Sequence, residues 1–157
     1  MVGMAEVKVT RSSEEVLVAL GLGSCVGICA YDPKAGVAGM AHVVLPMSAG
    51  QDQNPGKFAD TALPQLLSEM SRLGAIKSRI RVALAGGAQL FSINTSGPRM
   101  EIGARNIAAI KEALEKSGLP ILATDVGGKT GRTVHLFADG RVRVKTIGMG
   151  EKDLVTL

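Results

Sequence analysis

Between Val16 and Val26 the chain reads Val-Leu-Val-Ala-Leu-Gly-Leu-Gly-Ser-Cys-Val. A strand's worth of apolar residues runs into a turn paced by Gly21 and Gly23, and no other stretch constrains the fold as much. These glycines reach backbone angles that other residues adopt only at a cost, so the chain is free to turn sharply there. Cys25 opens the next apolar run. A cysteine displayed on such a turn has backbone N–H groups around it, the usual arrangement of a nucleophile and its oxyanion donors. Gly23 and Ser24 are the candidate oxyanion or orienting positions. A free cysteine is more often a small buried hydrophobe. His42 is what points beyond that.

Val26-Gly27-Ile28-Cys29-Ala30-Tyr31 has strand length, Asp32-Pro33-Lys34-Ala35-Gly36 has turn chemistry, and Val37 to Leu45 runs apolar until Pro46. Two short strands joined by a tight turn pair antiparallel, with partner numbers summing to a constant. The midpoint of Cys25 and His42 falls between Pro33 and Lys34, inside the turn. The two side chains are therefore expected across or diagonal to one another, within reach of a shared proton. A one-residue slip would change the face. A histidine symmetric with a glycine-displayed cysteine about a hairpin makes a Cys25–His42 dyad the leading reading. A lone histidine in an apolar strand is otherwise a satisfied core residue.

At 157 residues the chain is expected to form one domain, 1–157, with a core that needs no staples. Two cysteines and no signal-like leader predict a reducing, cytoplasmic setting rather than a disulfide framework. No apolar run approaches membrane-spanning length, so no direct membrane insertion is expected. The net charge of +4 comes with one Tyr, three Phe and no Trp, too few aromatics for a stacking surface. The charge is read as solubility, with no nucleic-acid partner.

Ala5 to Thr10 alternates as a half-exposed first strand would. Pro46 to Gly56 is a long polar loop. Lys57 to Leu73 has helical spacing, with Asp60 or Thr61 as cap and Pro64 in the first turn, or with a kink at Pro64 if the helix begins earlier. Ile80 to Ala85 is a strand ending in Gly86-Gly87, whose N–H groups are available to an anion or a carbonyl. Ile102 to Ser117 is a second helix. Ile121 to Val126 is a strand ending in Gly127-Gly128. Arg132 to Ala138 and Arg141 to Ile147 pair around Asp139-Gly140, leaving Arg141, Arg143 and Lys145 on a solvated face. His135 is most simply structural. About eight strands and two helices, with hairpins dominating, predict an α+β fold: a largely antiparallel, layered, sandwich-like sheet with two main flanking helices.

Gly21-Leu22-Gly23-Ser24-Cys25-Val26 and Ala41-His42-Val43-Val44-Leu45-Pro46 resemble the CheD family of chemoreceptor glutamine deamidases. Ala85-Gly86-Gly87-Ala88 with Phe91, Ile102-Gly103-Ala104-Arg105-Asn106, and Asp125-Val126-Gly127-Gly128 extend the resemblance over most of the chain. It implies a β-sandwich with flanking helices, Cys25 as nucleophile and His42 as base, with Gly86, Gly87, Phe91, Gly127 and Gly128 as candidates for the substrate mouth. It implies no cofactor. Its substrates would be glutamines on methyl-accepting chemotaxis receptors, and its partner a CheC-type phosphatase docking at the same mouth. The family's third triad member is a threonine six residues before the cysteine, where this chain has Ala19. A backbone carbonyl, a water or a hydroxyl such as Ser24 is left to orient His42. The expectation is a slow deamidase, with Ala19→Thr raising kcat several-fold.

Three alternatives stand beside this reading. One is a receptor- or CheC-binding module that keeps the fold with weak or no catalysis. Another is a metal site from Cys25, Cys29, His42 and His135, which lack a metal-knuckle spacing. The last is a general cysteine protease, which the dyad alone does not separate from a deamidase.

Overall fold

The computed structural model describes residues 1–48, 50, 54–89 and 101–157. In chain order its elements are β1 (Val7–Thr10), β2 (Val16–Leu22), β3 (Val26–Asp32), β4 (Val37–Val43), α1 (Ala59–Arg72), β5 (Arg81–Gly86), α2 (Ile102–Lys116), β6 (Ile121–Val126), β7 (Arg132–Phe137), β8 (Arg141–Thr146) and β9 (Gly150–Thr156). They form a five-stranded sheet ordered β1-β4-β3-β5-β6 and a four-stranded sheet ordered β2-β7-β8-β9. Every pairing is antiparallel except β5 with β6, whose connection runs through α2. This is the layered, largely antiparallel α+β architecture the sequence predicts.

Alternation along β3 and β4 divides the interior in two. Val26, Ile28, Ala30, Val37, Ala41 and Val43 point to one side, where Leu63, Leu66 and Met70 of α1 and Ile110 and Leu114 of α2 cover them. Cys29, Tyr31, Ala38 and Met40 point to the other, against Leu17, Ala19, Leu22, Val134, Leu136, Val142 and Val144 of the second sheet. Both faces of the central hairpin are thus buried. That is why its strands read as continuous apolar runs rather than alternating ones. Each large aliphatic side chain buried this way contributes about 1.5–3 kcal/mol. The helix layer approaches closely at Gly39, where a Cβ would lie 2.7 Å from Leu66.

The hairpin turn sets the register. Asp32 is fully buried and accepts from the backbone N–H groups of Lys34 (3.0 Å) and Ala35 (3.1 Å). It also accepts from the N–H of Ile76 (2.8 Å) and from Nε of Arg79 (3.0 Å). These bonds hold Pro33–Gly36 as a four-residue loop with Gly36 at φ +66°, and Asp32 pairs with Val37. Partner numbers therefore centre between Lys34 and Ala35, one residue beyond the midpoint of Cys25 and His42. The direct partner of His42 is Gly27.

Two further expectations are corrected. A ninth strand, β9, closes the edge of the second sheet by pairing with β8. And α1 begins at Ala59 with Phe58 at its N-cap, so Pro64 lies inside the helix and neither Asp60 nor Thr61 caps it. Asp60 instead accepts from the N–H of Ser48 (3.0 Å), and Thr61 donates to the Pro55 carbonyl (2.5 Å).

Candidate active site

Cys25 follows a break in β2. Its pairing with β7 is regular from Val16 to Ala19, then shifts before Leu22 meets Arg132, with Gly21 at φ +61° taking up the irregularity. The chain then passes from the second sheet into the first, and Cys25 stands at the crossing, one residue before β3. It shares a face with Gly27 and Cys29, and it packs on the cluster between the sheets. His42 lies opposite Gly27, on the same face and one diagonal from Cys25. The structure thus places the two side chains diagonally, as one of the two expected arrangements, with no hydrogen bond between them.

Burial raises the Cys25 thiol above its ordinary range, while its own backbone N–H pulls the other way. In the resting site this sulfur holds its proton, and an adjacent base is needed to remove it. The His42 ring is buried, with Nδ1 3.1 Å from the Val2 carbonyl oxygen. A carbonyl only accepts, so Nδ1 carries a hydrogen, and in the neutral ring the lone pair is then on Nε2.

Two glycine loops come in beside the cysteine. Gly87 donates to the Cys25 carbonyl (2.8 Å) and Ala88 to that of Gly23 (2.7 Å). Gly127 donates to Gly86 (2.9 Å) and Gln89 to Gly128 (2.9 Å). Gly86 has φ +112°, and a Cβ there would strike the Cys25 carbonyl, so no other residue fits without moving the turn. Gly86 and Gly87 thereby lie against Cys25, and Gly127 and Gly128 are bonded to their loop. Phe91 lies outside the described residues. Among the described residues, no carbonyl or side-chain oxygen accepts from the N–H groups of Ser24 and Cys25. The Cys25 N–H bears on its own sulfur, and both groups lie where an oxyanion on a carbon bonded to that sulfur would form.

Two residues without a predicted role hold this assembly. Asn106 on α2 is fully buried, and its Nδ2 donates to the carbonyls of Ser24 (2.9 Å) and Val44 (3.0 Å), one beside each half of the Cys–His pair. Its signal in the sequence is an amide in the buried stripe Gly103, Asn106, Ile110, Leu114. Arg132 is also buried, donating from Nη1 to the carbonyls of Gly86 (3.0 Å) and Asp125 (2.5 Å) and from Nη2 to Gly127. An ion pair with Asp125 at 3.5 Å balances its charge. Arg132 has the inward parity of Val134 and Leu136, and that is the sign that marks it. Ala19 is fully buried between the sheets, facing the layer that holds Cys25 and His42.

His135 has the opposite parity from Val134 and Leu136. It lies on the outer face of the second sheet beside Phe137, their ring centroids 6.2 Å apart. It does not converge with Cys25, Cys29 and His42, and no group of three or more metal-type side chains occurs among the described residues.

The fold and site define a layered α+β protein with a half-buried thiol and a buried imidazole on one face beside glycine loops. More narrowly, the chain belongs to the CheD family: the family model described as CheD chemotactic sensory transduction matches residues 44–146. Full-length relatives cover the cysteine and histidine as well. It is 51% identical over 154 residues to a probable chemoreceptor glutamine deamidase CheD of Caldanaerobacter subterraneus, covering 96% of this chain and 94% of the relative. It is 47% identical over 153 residues to one from Desulfitobacterium hafniense, covering 96% and 95%. Identity is 44% over 157 residues to the chemoreceptor glutamine deamidase CheD of Halalkalibacterium halodurans, covering 98% and 96%.

Proposed function

We propose that this chain is a chemoreceptor glutamine deamidase, with Cys25 as nucleophile and His42 as base. The observation that carries the reading is the diagonal placement of the two side chains on one face, beside N–H groups of Ser24 and Cys25 that no carbonyl among the described residues engages. The names of the relatives point to the same reaction.

In that reaction Nε2 of His42 takes the thiol proton as sulfur attacks the carboxamide carbon of a glutamine. The carbonyl oxygen becomes an oxyanion facing the N–H groups of Ser24 and Cys25. As the tetrahedral adduct collapses, the imidazolium gives its proton to the departing nitrogen and ammonia leaves, with a thioester on Cys25. Water then attacks the thioester with His42 as base, the C–S bond breaks, and the products are glutamate and the free thiol. No cofactor enters.

The substrates in this reading are glutamines on the cytoplasmic helices of methyl-accepting chemotaxis receptors, which places the protein in the cytoplasm. Among the described residues no helix is long and apolar enough to cross a membrane. A CheC-type phosphatase docks at the same mouth as its regulatory partner. The competing reading, a binding module without catalysis, rests on Ala19. The Val2 carbonyl on Nδ1 weighs against it, because the histidine has an acceptor without a threonine. Mass spectrometry of a receptor cytoplasmic fragment incubated with the protein decides between them. A gain of about 1 Da at particular glutamines is expected. A fragment that binds yet stays unshifted would overturn the enzyme in favour of the module.

A further inference from the structure

We propose that the main-chain carbonyl of Val2 is the positioning group for His42, making the segment Met1–Glu6 a working part of the site. This rests on His42 acting as base. The segment is built around that one residue. His42 donates its backbone N–H to Glu6 O (3.0 Å), accepts at its carbonyl from Ala5 N–H (2.9 Å), and donates from ring Nδ1 to Val2 O (3.1 Å). Val2 is itself pinned: its N–H donates to Val18 O (2.7 Å) and its side chain is buried between the sheets. The turn between them is held by Glu6 N–H to Gly3 O (3.0 Å) and Gly3 N–H to Glu6 Oε1 (3.2 Å).

Ala5 has φ +65°, the only non-glycine residue with positive φ among those described. Left-handed backbone costs a residue with a Cβ about 1–2 kcal/mol and persists where surrounding contacts over-determine it. Here those contacts converge on the histidine. Gly56 closes against the far side, where a Cβ would strike the Ala5 carbonyl. The hydrogen bond fixes both the tautomer and the ring plane, so Nε2 faces the layer shared with Cys25 as a ready acceptor. A buried histidine whose Nδ1 found no acceptor would spend part of its time as the other tautomer, with a proton where the base must be.

The test uses full-length protein labelled with 15N-histidine in a His135→Gln background, so that the ring signals come from His42 alone. Long-range 15N–1H spectra of the neutral ring should show hydrogen on Nδ1. Hydrogen on Nε2 overturns the proposal, whether or not glutamine is turned over. Val2→Ala keeps the carbonyl and should retain the tautomer, though it lowers the melting temperature. Val2→Lys places a charge in the apolar layer and displaces the carbonyl. At a temperature where it remains folded, it should mix the tautomers and lower kcat at least about tenfold with little change in KM. Unchanged tautomer and kcat in a folded Val2→Lys protein with a displaced segment would also overturn it. The deamidase reading fails separately, if His42→Ala still releases ammonia at the wild-type rate.

Discussion

His42 stands directly across the β3–β4 ladder from Gly27, the residue midway between Cys25 and Cys29 on the same face. One position toward the turn the imidazole would meet the helix layer, and two positions would set it against the buried Cys29. The four-residue loop anchored by Asp32 therefore keeps the imidazole on the face of the two sulfurs, diagonal to each.

Cys25→Ala and His42→Ala should each abolish ammonia release from a receptor fragment while keeping the fold. Cys25 is partly exposed at a turn, so its loss empties no core position, whereas removing the buried His42 ring leaves a void and lowers the melting temperature. Near wild-type activity in a normally melting Cys25→Ala protein would end its assignment as nucleophile.

Ala19→Thr tests whether the missing hydroxyl matters. From sequence alone the variant is expected to raise kcat several-fold. With Nδ1 already bonded to Val2 O, the expectation becomes little or no gain in the intact chain. Steady-state kinetics of a well-folded variant check this, and a rise of several-fold would mean that the Val2 bond leaves the ring loosely held.

Cys29 gives a pH signature. It is fully buried, and burial pushes its thiol from 9.0 up to about 12. A group raised on folding contributes stability that is complete below its unfolded value and lost as pH climbs through the folded one. Denaturant melts should show the wild type losing stability between pH 9 and 12. Cys29→Ala should cost about 1 kcal/mol at pH 7 but decline less steeply in that window, so the two curves converge. Iodoacetamide should modify Cys25 before Cys29, faster as pH rises.

Asn106 offers a test of the buttress. Asn106→Leu leaves the Ser24 and Val44 carbonyls without their donor, at about 1–3 kcal/mol for each that stays buried and unpaired. Asn106→Asp should be worse, since it turns an acceptor toward two acceptors. Thermal melts should rank wild type above Leu above Asp, with kcat falling in the same order. An Asp variant as stable and active as wild type would remove Asn106 from the site.

Much of this was legible in the residues because it follows from side-chain pattern. Val26–Tyr31 and Val37–Val43 are apolar throughout and pair as a hairpin buried on both faces. Asp139-Gly140 turns β7 into β8. The strand β9 escaped because Glu151, Lys152 and Asp153 are consecutive, with no alternation, and a neighbour's edge rather than a core calls the strand into being. The diagonal between Cys25 and His42 depended on loop length, which Asp32 settles through bonds to Ile76 and Arg79, far along the chain. The Val2 carbonyl has no signature at all, since every residue carries one.

The Arg132 guanidinium, gripping carbonyls of Gly86, Asp125 and Gly127 at once, has a consequence for how the protein comes into being. Its three acceptors and the cysteine turn they surround lie in chain segments separated by scores of residues. Closing such distant loops is late work in folding, after local hairpins have formed. A nascent chain that has made only β3 and β4 carries the thiol and the imidazole on one hairpin, before Ile76 and Arg79 arrive to bond Asp32 in its turn. Arrival of β7, bringing Arg132, ties the Gly86 and Gly127 loops together, so the hairpin that bears the thiol and the imidazole forms before the loops beside it are fixed.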